Sequence, residues 1–232
     1  MKLNDKGLLI VISGPSGVGK GTVRSALFEM EGHDLEYSIS MTTRKPRKGE
    51  VNGREYYFVT KEEFLKCIEE GKMLEYAEFV NNYYGTPLET VEKMLDSGKE
   101  VVLEIDVQGA TQVREKMPDA VFIFIAPPSY DELLHRLIYR GTESRDVIEK
   151  RIEKAKREID LAYMYDYIVV NDTVENAADK IIAIIRAEHA KVERTIHKYK
   201  EMLEVNKWVL FEMEWDILRL TNWFLKQIQS IN

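Results

Sequence analysis

An α/β fold, with a parallel sheet covered by helices on both faces, is predicted by three features of this 232-residue sequence. Short, wholly apolar, β-branched runs recur along it, the type of text that a strand buried on both faces requires. Amphipathic stretches of helical period lie between them, so strand and helix alternate. Between about Leu35 and Ser97 short mixed strands dense in tyrosine interrupt the rhythm, which predicts a small mixed α+β lobe inserted into the core.

Taken in order, Leu8–Ile12 reads as the first buried strand; it runs through a glycine-rich turn into helical text over Gly19–Met30. The lobe offers strand-like text at Tyr37–Met41, Glu55–Val59 and Leu74–Phe79. Thr60 with Glu63 reads as a capping box, in which each side chain takes the other residue's free main-chain N–H and so starts a helix. Thr86-Pro87-Leu88-Glu89 reads as another start, with proline at the first helical position, where its missing N–H costs nothing. The core resumes with strand Val101–Ile105 and helix Val107–Met117. Strand Val121–Ile125 and helix Tyr130–Arg140 follow, the latter started by Ser129 and Glu132. Helix Val147–Met164, strand Tyr167–Val170 and helix Val174–Leu203 complete the pattern. The organisation expected is a core of 1–34 and 98–204, with a lid at about 136–157, a lobe of 35–97 and a tail of 205–232. All three tryptophans (Trp208, Trp215, Trp223) fall in that tail, where Ile217, Leu220, Phe224, Ile228 and Ile231 keep helical spacing. The tail reads as an amphipathic helix that packs on the core or across a homodimer; a partner or membrane surface and a fused segment are the other readings.

With 44% hydrophobic and 31% charged residues the chain has the composition of a globular protein, not a disordered one. Its net charge of -7 argues against nucleic-acid binding, which rests on a basic face. A single cysteine, Cys67, rules out an intrachain disulfide and a Cys-rich zinc site, and the four histidines show no ligand spacing. No apolar run approaches the roughly 18 residues that span a bilayer, so no integral membrane contact is expected. The first residues do not read as a secretory signal, and a cytoplasmic setting is the expectation.

The chemistry begins directly after the first strand, at Gly14-Pro15-Ser16-Gly17-Val18-Gly19-Lys20-Gly21-Thr22. The spacing G-x-x-x-x-G-K is that of a P-loop. Nucleotide phosphates crowd several negative charges together. Glycines let main-chain N–H groups wrap those oxygens, and the helix beginning near Lys20 turns its positive end toward them. Lys20 adds a mobile point charge for the β and γ phosphates. A dinucleotide fingerprint would need glycine where Thr22 stands. The hydroxyl that usually follows the lysine is absent, since that position is Gly21; Thr22 takes the magnesium role, or water does. The fold class is therefore a P-loop NTPase-type parallel sheet with an inserted lobe and a helical lid.

Arg44-Lys45-Pro46-Arg47-Lys48 concentrates positive charge in an acidic chain. Two arginines three apart can grip one phosphate through charge-assisted bonds, with Tyr56 and Tyr84 as neutral donors; a solvated basic loop is the plain alternative. Here the sequence resembles the guanylate kinase family, specifically its bacterial enzymes. The resemblance is carried by Ser38-Ile39-Ser40-Met41-Thr42-Thr43-Arg44-Lys45-Pro46-Arg47 with Gly49-Glu50-Val51-Asn52-Gly53 and Tyr56. Further on it is carried by Asn82-Tyr83-Tyr84-Gly85-Thr86, Leu103-Glu104-Ile105-Asp106-Val107-Gln108-Gly109, Ala126-Pro127-Pro128, Arg140-Gly141-Thr142-Glu143 and Val170-Asn171-Asp172. It spans about residues 6–204, and the motifs stand in family order.

The resemblance implies transfer of the γ-phosphoryl group of MgATP to GMP. It implies that Arg44, Arg47, Tyr56 and Tyr84 hold the GMP phosphate, that Glu50 orients the arginines, and that Ser40, Glu75 and Thr86 read guanine. Asp106 is implied near magnesium and GMP, directly or through water. Arg136, Arg140 and Arg151 are implied on a lid over ATP, and Asn171 near the adenine. Catalysis would rest on Lys20, Arg44, Arg140 and Arg151. Independently of the resemblance, guanine presents N1–H and the 2-amino group side by side, and one carboxylate accepts both; adenine would leave Glu75 unpaired. Composition alone would make the arginines around Gly141 a solvated helix pair, and Thr86 a helix cap. A catalytically inactive, guanylate-kinase-like module that binds peptides is the alternative of another class. Such modules typically lack the P-loop lysine and lid arginines, which Lys20, Arg140 and Arg151 supply here.

Overall fold

The computed structural model describes residues 6–139 and 145–202. Arg140, the neighbouring Gly141-Thr142-Glu143, and the expected tail helix over 206–232 lie outside the described residues. Two compact units divide the chain, residues 5–186 and a second that includes 187–232.

In the first unit the elements run β1 (Leu9–Ser13), α1 (Lys20–Glu29), β2 (Leu35–Tyr37), β3 (Met41–Thr42), β4 (Tyr57–Phe58), α2 (Lys61–Glu69), β5 (Met73–Phe79), β6 (Asn82–Pro87) and α3 (Leu88–Asp96). They continue with β7 (Glu100–Glu104), α4 (Val107–Lys116), β8 (Val121–Ala126), α5 (Tyr130–Tyr139), α6 (Arg145–Asp160), β9 (Tyr167–Val170) and α7 (Val174–His189), whose last turn enters the second unit. Five strands form a parallel sheet in the order β2-β7-β1-β8-β9. Along β1 the side chains alternate between its two faces. Ile10 and Ile12 join Val102, Ile123, Val23, Leu27 and Ile181 on one side. Leu9 and Val11 join Val101, Phe122, Val91 and Val113 on the other. A period of two thus buries every residue of the strand, which is why Leu9–Ile12 is an unbroken apolar run. Each such side chain contributes about 1.5–3 kcal/mol by leaving water.

The second sheet has the order β4-β3-β6-β5, with β6 antiparallel to both neighbours. Four local expectations are corrected here. Leu35–Tyr37, read as the start of the lobe, pairs with β7 at the edge of the parallel sheet. Asn82–Pro87, not read as a strand, is the partner that β5 needs. Thr86 does not cap α3, because its hydroxyl is spent elsewhere; Pro87 stands at the cap position, one residue before the place expected for it, with no side-chain bond. The helix expected to run through to Met164 ends at Asp160, and a 3-10 turn over Ala162–Met164 leads into β9. The capping box at Thr60 and Glu63 is present in full. Ser129 Oγ accepts the Glu132 N–H at 3.1 Å, the first half of its own expected box.

In the second unit, the helix read as unbroken to Leu203 stops at His189 and restarts over 192–202. No glycine or proline causes the break. Ala190 N–H turns back to Ala187 O at 3.0 Å, and the buried Glu188 carboxylate takes Lys191 at 2.6 Å and Arg194 at 3.1 Å across the turn.

Candidate active site

The phosphate loop leaves the C-terminal end of β1, the sheet edge at which open α/β folds bind ligands. Its shape is built from behind. Asn171, which follows β9, is buried, and its side-chain amide donates to Val18 O at 2.8 Å. Arg136 of α5 donates to the same carbonyl at 3.2 Å and to Asn171 O at 3.4 Å, with Glu132 steering its Nε at 2.8 Å. Gly19 must be glycine on two counts: its φ is 93°, and a Cβ there would lie 2.7 Å from Asn171 Nδ2. The structure therefore places Asn171 and Arg136 as braces of the loop.

Lys20, the first residue of α1, folds its ammonium onto Gly14 O at 2.6 Å and Pro15 O at 3.3 Å. Burial pulls that ammonium below the usual lysine range, while Glu158, Glu104 and Asp106 hold it up. Lys20 is thus a desolvated cation in an acidic surround, the state in which a nearby polyanion gains most from it. Thr22 is exposed on the same first turn. Arg151 of α6 donates to Ser16 Oγ at 3.2 Å, which brings the expected lid arginine to the loop.

Beside the loop, a cleft of about 290 Å³ opens between the two sheets, bounded among others by Ser40, Tyr56, Glu75, Tyr84, Asp106 and Lys154. At its floor Glu75 of β5 lies opposite Thr86 of β6 in the strand register. Thr86 donates to Glu75 Oε1 at 2.7 Å and stands 3.5 Å from Ser40 Oγ. The carboxyl is only 5% exposed, and burial pushes it up to about 7. Gly109 of α4 forms the wall behind it; a Cβ there would come 2.7 Å from Glu75 Oε2. Three residues separated widely in sequence thus form one polar corner.

The third group is cationic. Glu50 takes Arg44 in a two-pronged bond, at 3.0 and 2.9 Å, and accepts Arg47 main-chain N–H at 2.7 Å. Bonding to Arg44 holds the Glu50 carboxyl below the usual range. Arg44 also lies 5.6 Å from the Tyr56 ring centre, and the Tyr56 and Tyr84 rings meet edge to face at 6.0 Å. Glu50 therefore orients Arg44 through its guanidinium; Arg47 it fixes through the main chain, leaving that side chain exposed. Asp106 caps α4, accepting Gly109 N–H at 2.9 Å through Oδ1.

These features coincide with what the comparisons find. A family model described as guanylate kinase matches residues 6–188. The chain belongs to the guanylate kinase family. It is 58% identical to a guanylate kinase of Bacillus subtilis (strain 168) over 203 residues, 88% of this chain and 100% of that one. It is 60% identical to a guanylate kinase of Onion yellows phytoplasma (strain OY-M) over 207 residues, 89% and 98% of the two. The crystal structure of guanylate kinase from Anaplasma phagocytophilum superposes with a TM-score of 0.71 at 38% identity, covering 88% of this chain and 97% of that one. The bacterial type inferred from the motifs is the type of these relatives.

Two polar groups of the site escaped the sequence reading. Glu158, almost fully buried, accepts Ser16 N–H at 3.3 Å, and Lys154 stands between Glu158 and Asp106. The signal was present in the spacing: Glu158 follows Arg151 by two helical turns and so shares its face of α6. In charged helical text, that spacing looks no different from a solvated stripe.

Proposed function

We propose that this chain transfers the γ-phosphoryl group of ATP to GMP, giving ADP and GDP. The observation that carries the reading is the buried Glu75–Thr86–Ser40 corner at the floor of a cleft that adjoins the Lys20 phosphate loop. Ionised Glu75 accepts the N1–H and 2-amino donors of guanine and the Ser40 hydroxyl can donate to its O6, while Thr86, whose one hydroxyl proton is on Glu75, holds that carboxylate in place and reaches O6 only by releasing it. Arg44, Arg47, Tyr56 and Tyr84 hold the GMP phosphate, with Glu50 orienting Arg44. Loop N–H groups and Lys20 hold the donor phosphates.

An oxygen of the GMP phosphate attacks the γ phosphorus, and the bond from that phosphorus to the β–γ bridging oxygen breaks. The attacking oxygen is already anionic, so no strong base is required. The protein's work is alignment and charge neutralisation. Arg151 and Arg140 carry the second task on the lid, and closure keeps water from competing as acceptor. Among the described residues no cluster of three His, Cys, Asp or Glu side chains could cage a metal. Magnesium keeps its waters and rests on phosphates with one or two protein oxygens; Asp106 and Thr22 are the residues that would hold it, and it would supply charge neutralisation between the phosphates. No helix among the described residues is long and apolar enough to cross a membrane; the cytoplasm is the setting this reading takes.

The test is a coupled assay of ADP release with GMP, AMP, CMP and UMP offered in turn. GMP should be preferred by orders of magnitude, and Lys20→Ala should cut turnover at least about tenfold, roughly 1.4 kcal/mol in the barrier. Equal rates with AMP, or an unimpaired Lys20→Ala enzyme, would refute the reading. A peptide-binding module without catalysis would release no ADP with any acceptor.

A further inference from the structure

Lys154 belongs to no role assigned above. It sits on α6 between Arg151 and Glu158, and its side chain is half exposed. The cleft wall includes it as the one cation among the described lining residues, facing Glu75, Glu78, Glu104 and Asp106. Its ammonium lies 3.5 Å from Glu158 Oε1 and 4.0 Å from Asp106 Oδ2. Both separations exceed the 2.7–2.9 Å or so of a charge-assisted hydrogen bond. Both carboxylates also accept a main-chain N–H through their other oxygen, Glu158 from Ser16 at 3.3 Å and Asp106 from Gly109 at 2.9 Å. Lys154 is thus loosely held, on a flexible stem, with donors to spare. Its position is also specific. On one side is the acceptor cleft; on the other, Lys20 is near enough for the charge of Lys154 to depress its ammonium further.

We propose that Lys154 is a further phosphate-binding residue of the transfer step, parked between Asp106 and Glu158 and turning its ammonium onto the phosphate oxygens that bridge donor and acceptor. Two cations close enough to repel are an arrangement that an intervening polyanion relieves. Lys154 acts as a hydrogen-bond donor and point charge, not as an acid or base of the transfer. The proposal rests on the reading above, that ATP and GMP meet in this cleft.

The experiment uses the full chain and a bisubstrate probe, adenosine and guanosine joined 5′ to 5′ through five phosphates, with ADP alone and GMP alone as controls. Lys154→Met keeps the stem and removes the charge; Lys154→Arg keeps the charge. Titration calorimetry should give at least about a tenfold loss of bisubstrate affinity for Lys154→Met, with ADP and GMP alone changed less than about threefold. Lys154→Arg should remain within about threefold of the parent, and the salt dependence of bisubstrate binding should be shallower in Lys154→Met. Unchanged bisubstrate affinity in Lys154→Met would overturn the proposal. So would an equal loss for ADP alone, because that is what mere support of the loop would produce. A parent enzyme that binds the bisubstrate no more tightly than ADP would instead refute the two-nucleotide reading, and Lys154's role with it.

Discussion

A carboxyl buried as deeply as Glu75 is held between two states by opposing forces. Removal from water disfavours its charge, the Thr86 hydroxyl favours it, and the balance leaves it near 7 in the free protein. Guanine supplies the two donors that complete the charged form, so binding GMP should expel a proton. The apparent affinity for GMP should therefore fall as pH drops through 7, by about tenfold between pH 8 and 6, in proportion to the ionised fraction. Titration of GMP at each pH checks this. Glu75→Gln should flatten the profile to the part due to the ligand's own phosphate, and should reduce the preference of kcat/KM for GMP over AMP. Stability of the unliganded protein runs the other way. The folded value lies above the ordinary 4.5, so the folded chain binds the extra proton between about 4.5 and 7, and unfolding free energy falls as pH rises through that window. Urea melts at a series of pH values should show the slope in the parent and lose it in Glu75→Gln.

Helix α2 shows how one local device sets an element in the lobe. Thr60 Oγ accepts Glu63 N–H at 3.2 Å, and Glu63 returns the bond to Thr60 N–H at 2.8 Å. The start of the helix is thus fixed by two residues, and only Phe64 on it is buried, packing 5.5 Å from the Tyr83 ring of β6. Thr60→Ala should cost about 1 kcal/mol of unfolding free energy, read by chemical denaturation, with turnover on GMP little changed because neither residue lines the cleft. Helices α5 and α6 illustrate the opposite case. Leu133, Leu137 and Ala155 bury a small shared core, yet the polar side chains of the same two helices, Arg136, Arg151 and Glu158, are the ones directed at the phosphate loop. The lid expected over about 136–157 falls on this helix pair.

Across the first unit, the two sheets bring their polar groups to one cleft, so the ligands should stabilise the whole unit and not one sheet alone. ADP and GMP, each at about one hundred times its dissociation constant, should each raise the unfolding free energy by about 2.7 kcal/mol, about 5.5 kcal/mol together for independent sites, a shift of roughly ten degrees or more in a thermal melt of a unit this size. Lys20→Ala should lose most of the ADP increment and keep that from GMP; thermal melts with each ligand alone and with both separate the two. A melt that GMP leaves unmoved would count against the cleft as its site.

Much of this was legible in the sequence because it depends on neighbours along the chain. Buried parallel strands must be apolar at every position, a phosphate loop must place glycines and lysine at fixed spacing ahead of a helix, and a capping box needs two residues three apart. The family motifs lay in the same local text. What the chain order could not settle were pairings across it: Leu35–Tyr37 at the edge of the core sheet, Thr86 bonded to Glu75 instead of capping α3, Asn171 bracing Val18, and Lys154 suspended between Glu158 and Asp106. Each of those is decided by which polar groups folding strips of water and then forces on one another, and a hydroxyl, an amide or an ammonium reads the same in sequence whether it meets solvent or a buried partner.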